Sequence, residues 1–404
     1  MTDVYRPLQS LQQGTWFKLI CGASYQHLPA IRNLALVYAL AGADCVDVAA
    51  DPAVIAAAQE GIEAVAKVLP LVSEWGFDQA KRPWLMVSLN DGEDPHFRKA
   101  EFDPMICPAD CPRPCERVCP AQAIAFDQDG CSGVISDRCY GCGRCLPVCP
   151  IQQISARSYV STPSAIAPLV LQGVDAVEIH TQVGRLVDFE RLWQAIAPFV
   201  KQLKLVAISC PDGEGLVEYL RSLYEIISPL PCAVVWQTDG RPMSGDIGEG
   251  ATRASVRLGQ KVLAAGLPGY VQLAGGTNRH TVEKLRQLGL LSPKAMGCSD
   301  GVDAATGIQP FVAGIAYGSY ARTLLNPVLD ALEQGGKAIA APTLPPVSSP
   351  ESSTSPSNLN YSKNSHMRLE DLPSLLFEAV QIADGLVSQL KDPIRKKQMT
   401  STLL

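Results

Sequence analysis

Short apolar runs alternate with longer stretches of helical periodicity along nearly the whole chain. Eight runs read as strands: FKLICGA (17–23), CVDVAAD (45–51), WLMVSLN (84–90), AVEIHTQ (176–182), LKLVAIS (203–209), AVVWQTD (233–239), YVQLAGG (270–276) and GIAYGSY (314–320). Most are close to continuously apolar, the pattern of strands buried on both faces of a parallel sheet. Between them lie helical segments such as HLPAIRNLALVYALAGA and GATRASVRLGQKVLAAG. In the first, Ile31, Leu34, Ala35 and Tyr38 recur at helical spacing and form the expected core-facing stripe. Eight βα units in a row predict an α/β fold closed into a TIM-barrel-like (β/α)8 scaffold, with an open doubly wound sheet as the alternative.

Three stretches depart from the alternation and set the expected domain organisation. Residues 100–157 follow the third strand, which places them in a βα loop on the C-terminal face of the barrel, between its first part (1–99) and its remainder (158–334). Residues 335–367 are rich in Ser and Pro with little to bury, the composition of a disordered linker. Over 368–404 helical periodicity resumes, with Leu372, Leu375, Leu376, Ala379, Ala383, Leu386, Val387 and Leu390 on one stripe. Such a tethered amphipathic helix docks back on its own domain or, as a second reading, binds a partner.

Composition narrows the class. The chain has 404 residues, 47% apolar and 18% charged, so it is a core-forming globular sequence. A net charge of −6 argues against a nucleic-acid surface. No stretch approaches the roughly 18 apolar residues of a membrane span, and the N-terminus carries no signal-peptide pattern. The chain therefore reads as cytoplasmic, where thiols are kept reduced. Fourteen cysteines in that compartment point to metal rather than to disulfides.

Nine of the fourteen lie between Cys107 and Cys149. Cys139, Cys142, Cys145 and Cys149, followed by Pro150, form a Cys-x2-Cys-x2-Cys-x3-Cys-Pro run, the ligand spacing of bacterial-type ferredoxins. Upstream, Cys107, Cys111, Cys115 and Cys119 follow with three-residue gaps, and Pro108, Pro112 and Pro114 argue against a regular helix there. CPAQAIAF (119–126) and CPIQQISA (149–156) align residue for residue. A zinc ribbon fits this poorly, because it pairs two Cys-x2-Cys knuckles across a longer spacer. The segment thus resembles a two-cluster ferredoxin module. That resemblance implies that Cys139, Cys142, Cys145 and Cys119 hold one [4Fe–4S] cluster. Cys107, Cys111, Cys115 and Cys149 hold the other, as [4Fe–4S] or, given the irregular first run, [3Fe–4S]. Cys131 lies in an intervening turn and is not expected to be a ligand. Cys21, Cys45, Cys210, Cys232 and Cys298 read as structural thiols.

In the barrel, candidate active-site groups are those at strand C-terminal ends: Asp51, Asn90, His180, Cys210, Asp239 and Thr277. After the last two strands, Gly275, Gly276, Gly318 and Arg322 stand where many barrels hold a phosphate, so FMN or another phosphate ligand is a candidate. The competing reading is that these glycines turn the chain and Arg322 opens a helix. His180, Asp239 and Lys18 do not assemble into a convincing acid–base set.

The cysteine runs, together with FKLICGASYQHLPAIRNLALVYALAGADCVDVAADP, make most of the chain resemble the cyanobacterial light-dependent period proteins. The resemblance implies an iron–sulfur protein that relays light-dependent redox state to the circadian clock. It implies contact with clock-input and oscillator proteins, while the wide range of cluster potentials lets such a cluster be poised against the quinone or ferredoxin pool. It favours a sensor over a turnover enzyme. The alternative is an iron–sulfur oxidoreductase, with or without flavin, that uses the barrel as active site.

Overall fold

The computed structural model describes residues 6–77, 80–92, 95–126, 132–158, 163–241, 250–293, 295, 310–334 and 368–391. The expected linker, 335–367, lies outside the described residues, as do Cys131 and Cys298. In chain order the strands are Trp16–Gly22 (β1), Cys45–Ala49 (β2), Trp84–Asn90 (β3), Arg98–Glu101 (β4), Ile124–Phe126 (β5), Ser132–Val134 (β6) and Ser155–Ser158 (β7). Ala176–His180 (β8), Leu205–Pro211 (β9), Ala233–Asp239 (β10), Tyr270–Ala274 (β11) and Gly314–Tyr317 (β12) complete the set.

Eight of these strands close into one parallel barrel in the order β1-β12-β11-β10-β9-β8-β3-β2. Each overlaps one of the eight runs read from the sequence, with β1 starting one residue earlier, at Trp16, and β9 ending two residues later, at Pro211. Pairing of β1 with β12, from Trp16↔Gly314 to Leu19↔Tyr317, joins the two ends of the sheet. That pairing excludes the open doubly wound alternative. Helices cover the outside of the barrel, as right-handed βα crossovers require.

The strands are less uniformly apolar than they read, because successive side chains point alternately outward and inward. Outward residues such as Leu19, Val46 and Val87 pack under the helices. Inward, Trp16, Trp84 and Met86 fill the N-terminal end of the barrel, sealed below by Leu11 of helix Arg6–Gln13. Above them lies a belt of buried polar groups: Lys18, Asp47, Ser88, Glu178, Gln237 and Gln272. Barrel interiors usually hold branched apolar residues at these levels. Lys18 is fully buried, so it must be paired where it stands.

Helix Leu28–Leu40 is buried all round from Ala30 to Leu40, rather than along a single stripe. The reason is the C-terminal helix Pro373–Lys391, which packs against it, against helix Ser319–Glu333 and against β1. Ion pairs fix both ends of that cover. Arg32 binds Glu370 through both guanidinium Nη atoms and Glu60 through Nε at 3.0 Å. Lys391 pairs with the buried Asp44 and donates to Ser10 Oγ at 3.1 Å. Phe377 adds an edge-on contact to Trp75 with ring centres 5.3 Å apart. Among the described residues no helix is long and apolar enough to cross a membrane.

Candidate metal centre at the barrel mouth

The segment between β3 and β8 builds two small antiparallel sheets, β4 with β7 and β5 with β6. Its sequence repeat is also a backbone repeat. After each Cys-Pro the chain turns in the same way, with Gln122 N–H donating to the Cys119 carbonyl at 3.2 Å and Gln152 N–H to that of Cys149 at 3.1 Å. Both glutamines adopt positive φ, 47° and 52°. The turn leaves amides pointing at sulfur: Ala123 N–H reaches Cys119 Sγ at 3.2 Å. For Cys149, burial pushes the thiol up, but the N–H groups of Gln153, Ile151, Ile154 and Gln152 outweigh it and hold the group below its ordinary value. The three-residue gaps of the first run do not make a continuous helix. A single five-residue helix, Pro114–Val118, starts at Pro114, where a missing N–H costs nothing.

The thiols influence one another in two sets. Burial first, then Cys142, Cys139 and Cys119, push Cys145 up to about 12. Burial raises Cys107 and Cys115, and Cys149 adds to the rise of each, with Cys111 acting on the first and Cys107 on the second. Cys119, Cys139, Cys142 and Cys145 together line one cavity of about 620 Å³, with Lys99 and Leu146 also in its wall. Gly141 and Gly143, at φ 72° and 71°, let the Cys139–Cys145 loop wrap that cavity. Four thiols gathered around one space, with burial pushing Cys119, Cys142 and Cys145 up and amide donors aimed at sulfur, suit a soft, multiply charged metal centre, because a bound cation supplies the missing charge. Cys21, Cys45 and Cys210 are buried in the barrel and Cys232 is half-buried, all outside both sets.

Tyr140 joins this cavity to a second, of about 630 Å³, at the C-terminal mouth of the barrel. The mouth brings together Gly275, Gly276, Gly318, Arg322, His180, Asp239 and Thr277. Asp51 and Asn90 line a separate hollow, and Asp51 caps helix Pro52–Glu74 by accepting from Ala53 N–H at 2.8 Å. Cys210 is core. Arg322 donates to the Ile20 carbonyl at 2.7 Å and to Ser319 Oγ at 3.1 Å, and stacks over the Tyr140 ring at 4.0 Å. Gly275, at φ 64°, has a specific reason to lack a side chain: a Cβ there would lie 1.9 Å from Asp239 Oδ1. Among the mouth residues that the sequence did not point to are His96, Tyr140, Glu178 and Gln237.

The polar belt forms the floor of the mouth. Lys18 Nζ lies 3.0 Å from Asp47 Oδ2, is bonded to Glu178 and donates to Gln237 Oε1 at 3.1 Å. Gln237 in turn donates to Glu178 Oε1 at 2.6 Å and accepts from Gln272 at 2.6 Å. One cation cannot hold two buried carboxylates ionised equally. Burial resists the charge on Glu178, but Lys18 and then His180 outweigh it and lower the group to about 2. Burial raises Asp47 to about 6 despite Lys18, with Glu178 adding to the rise.

The two carboxylates act on stability with opposite sign. The contribution of Glu178 is present above its ordinary 4.5 and lost as pH falls toward about 2. That of Asp47 is present below its ordinary 3.8 and lost as pH rises through about 6. Asp47→Asn is therefore expected to flatten the decline in stability between about pH 4 and 6. Urea midpoints of variant and wild type across that range check it. Parallel declines would show that Asp47 does not titrate there.

The segment is held to the barrel by polar contacts. Lys99 donates to Gln26 Oε1 at 2.7 Å and to the Ser136 carbonyl at 2.6 Å. Asn326 donates to the Pro120 carbonyl at 2.8 Å, and Arg138 to Glu333 at 2.9 Å.

Comparison with known proteins places this geometry. Residues 107–160 match the LdpA Fe-S cluster-binding domain, so an iron–sulfur cluster-binding domain is present. Residues 169–389 match the light dependent period A C-terminal domain. "Light dependent period A" from Synechococcus elongatus is 54% identical over 336 residues, covering 83% of this chain and 88% of that protein. The chain belongs to the light dependent period A family.

Proposed function

We propose that this protein is an iron–sulfur redox sensor that relays the light-dependent redox state of the cell to the circadian clock. The observation that supports it most is the cavity lined by Cys119, Cys139, Cys142 and Cys145, which shares Tyr140 with the barrel mouth. In this reading residues 100–157 are a two-cluster ferredoxin-like module set between two parts of the barrel, 1–99 and 158–334. Cys119, Cys139, Cys142 and Cys145 hold one [4Fe–4S] cluster. Cys107, Cys111, Cys115 and Cys149 hold the second, as [4Fe–4S] or [3Fe–4S]. Such clusters supply one-electron exchange when bound, with a potential tuned by hydrogen bonds and exposure.

The chain's own residues supply that tuning. Ala100 N–H lies 3.4 Å from Cys139 Sγ and Ala123 N–H 3.2 Å from Cys119 Sγ, and donors to sulfur raise a cluster's potential. The quinone or ferredoxin pool is the proposed electron source, and clock-input and oscillator proteins the proposed partners, in keeping with the relative's name.

A second reading, an oxidoreductase holding FMN, draws on the mouth cavity shared by Gly275, Gly276, Gly318 and Arg322. Against it, Arg322 is already engaged by Ile20, Ser319 and Tyr140, and Gly275 makes room for Asp239.

The test uses full-length protein purified without oxygen. An iron–sulfur absorption band, no flavin in the acid extract, and partner binding that differs several-fold between oxidised and reduced protein are expected. Equal binding in both states sinks the sensor, and a released flavin makes the barrel an active site.

A further inference from the structure

We propose that the barrel mouth is a second metal centre, unrelated to sulfur, in which His96, His180 and Asp239 bind a divalent transition-metal ion of the zinc or iron(II) class. The three residues come from three separate elements. His96 stands on the short turn Pro95–Phe97, His180 ends β8 and Asp239 ends β10. One ligand atom from each lies within 4.8 Å of those of the other two. His96 Nε2 and Asp239 Oδ2 are 3.5 Å apart. A tetrahedral ion with metal–ligand distances of about 2.0–2.1 Å sets its ligand atoms about 3.4 Å from one another. That pair therefore already has the spacing of two ligands on one ion.

The surroundings are those of a ligand set rather than of a chance ion pair. His180 Nε2 lies 2.8 Å from Glu178 Oε1. A carboxylate holding one ring nitrogen of a metal-bound histidine is the usual orienting contact, and it assigns Nδ1 to the ion. Phe97 packs edge-on against the same ring, with centres 5.3 Å apart, and fixes its plane. Gly275 leaves space for the Asp239 carboxylate that no other residue would leave. Asp239 adds a carboxylate to the two imidazoles, the mixed nitrogen and oxygen donor set that a divalent transition-metal ion takes. Two histidines and one carboxylate leave coordination positions open, and here they face the mouth cavity. Nitrogen and oxygen ligands without thiolate select zinc or iron(II) over an iron–sulfur cluster.

The experiment uses the full chain with iron and sulfide quantified, dialysed against micromolar zinc. The wild type is expected to take up one zinc per chain, with only nitrogen and oxygen in the first shell of its X-ray absorption spectrum. His96→Ala and Asp239→Asn are each expected to weaken uptake by about tenfold or more, with iron and sulfide unchanged. His96 sits on a surface turn, so His96→Ala carries the test if Asp239→Asn fails to fold. No uptake by the wild type, uptake by both variants equal to that of the wild type, or sulfur in the zinc shell would overturn the proposal.

Discussion

Lys18→Met is expected to unfold the barrel or to destabilise it by about 3–5 kcal/mol, the cost of removing one partner from a buried ion pair. Methionine matches the stem of lysine in volume, so the loss comes from charge and not from a cavity. Asp47 and Glu178 would then share a sealed space with no cation between them. The compensated variant, Lys18→Met with Asp47→Asn and Glu178→Gln, should recover most of the loss, since a buried ionic cluster is often replaceable as a unit. Denaturant midpoints of the two variants decide it. If Lys18→Met is as stable as the wild type, the belt carries no stability. If the triple variant recovers nothing, shape rather than charge dominates.

Under the proposed two-cluster arrangement, Cys142→Ala is expected to lower bound iron and acid-labile sulfide to about half of the wild-type content, because one of the two proposed clusters would lose a ligand. The barrel should keep its unfolding midpoint to within about 1 kcal/mol, since the cavity walls belong to the inserted segment. Cys21→Ala is the control. Cys21 lies in the barrel core, with burial pushing its thiol up to about 12, and its loss should leave iron untouched. Full iron in Cys142→Ala removes that residue from the ligand set. Loss of all iron in Cys142→Ala would mean that the two sets do not load independently.

The barrel was legible because each strand is short, apolar and followed by a helical segment, and the parallel order follows from that repeat. The cysteine grid was legible because iron–sulfur ligation depends on local spacing. What escaped notice is what depends on register between distant strands. Lys18, Asp47, Glu178 and Gln237 each read as one polar residue in an apolar run. Only the closed sheet, with Lys18 opposite Cys45 and Asp47 opposite Met86, brings them to one level. The signal was present as alternation inside FKL, VDV, VEI and WQT, and was obscured because the outward positions are apolar as well. His96 had no signal of any kind. It sits in a loop without periodicity, and its role depends on Asp239, 143 positions away. The stripe of helix Leu28–Leu40 is core as read, with Ile31, Leu34, Ala35 and Tyr38 all buried, but its second buried face had no signal, since residues more than 300 positions later cover it.

That cover bears on the order in which the protein can be completed. Helix Leu28–Leu40 leaves the ribosome roughly 330 residues before the segment that shields it, an interval of about 15–70 s at ordinary elongation rates. Throughout that interval the helix lacks the element that packs on it, and the acid Asp44 lacks Lys391. The first βα unit to be synthesised is thus the last to be dried and neutralised. A ribosome that stops short of Pro373 releases a chain with an apolar, uncompensated flank, the kind of surface that chaperones and proteases recognise.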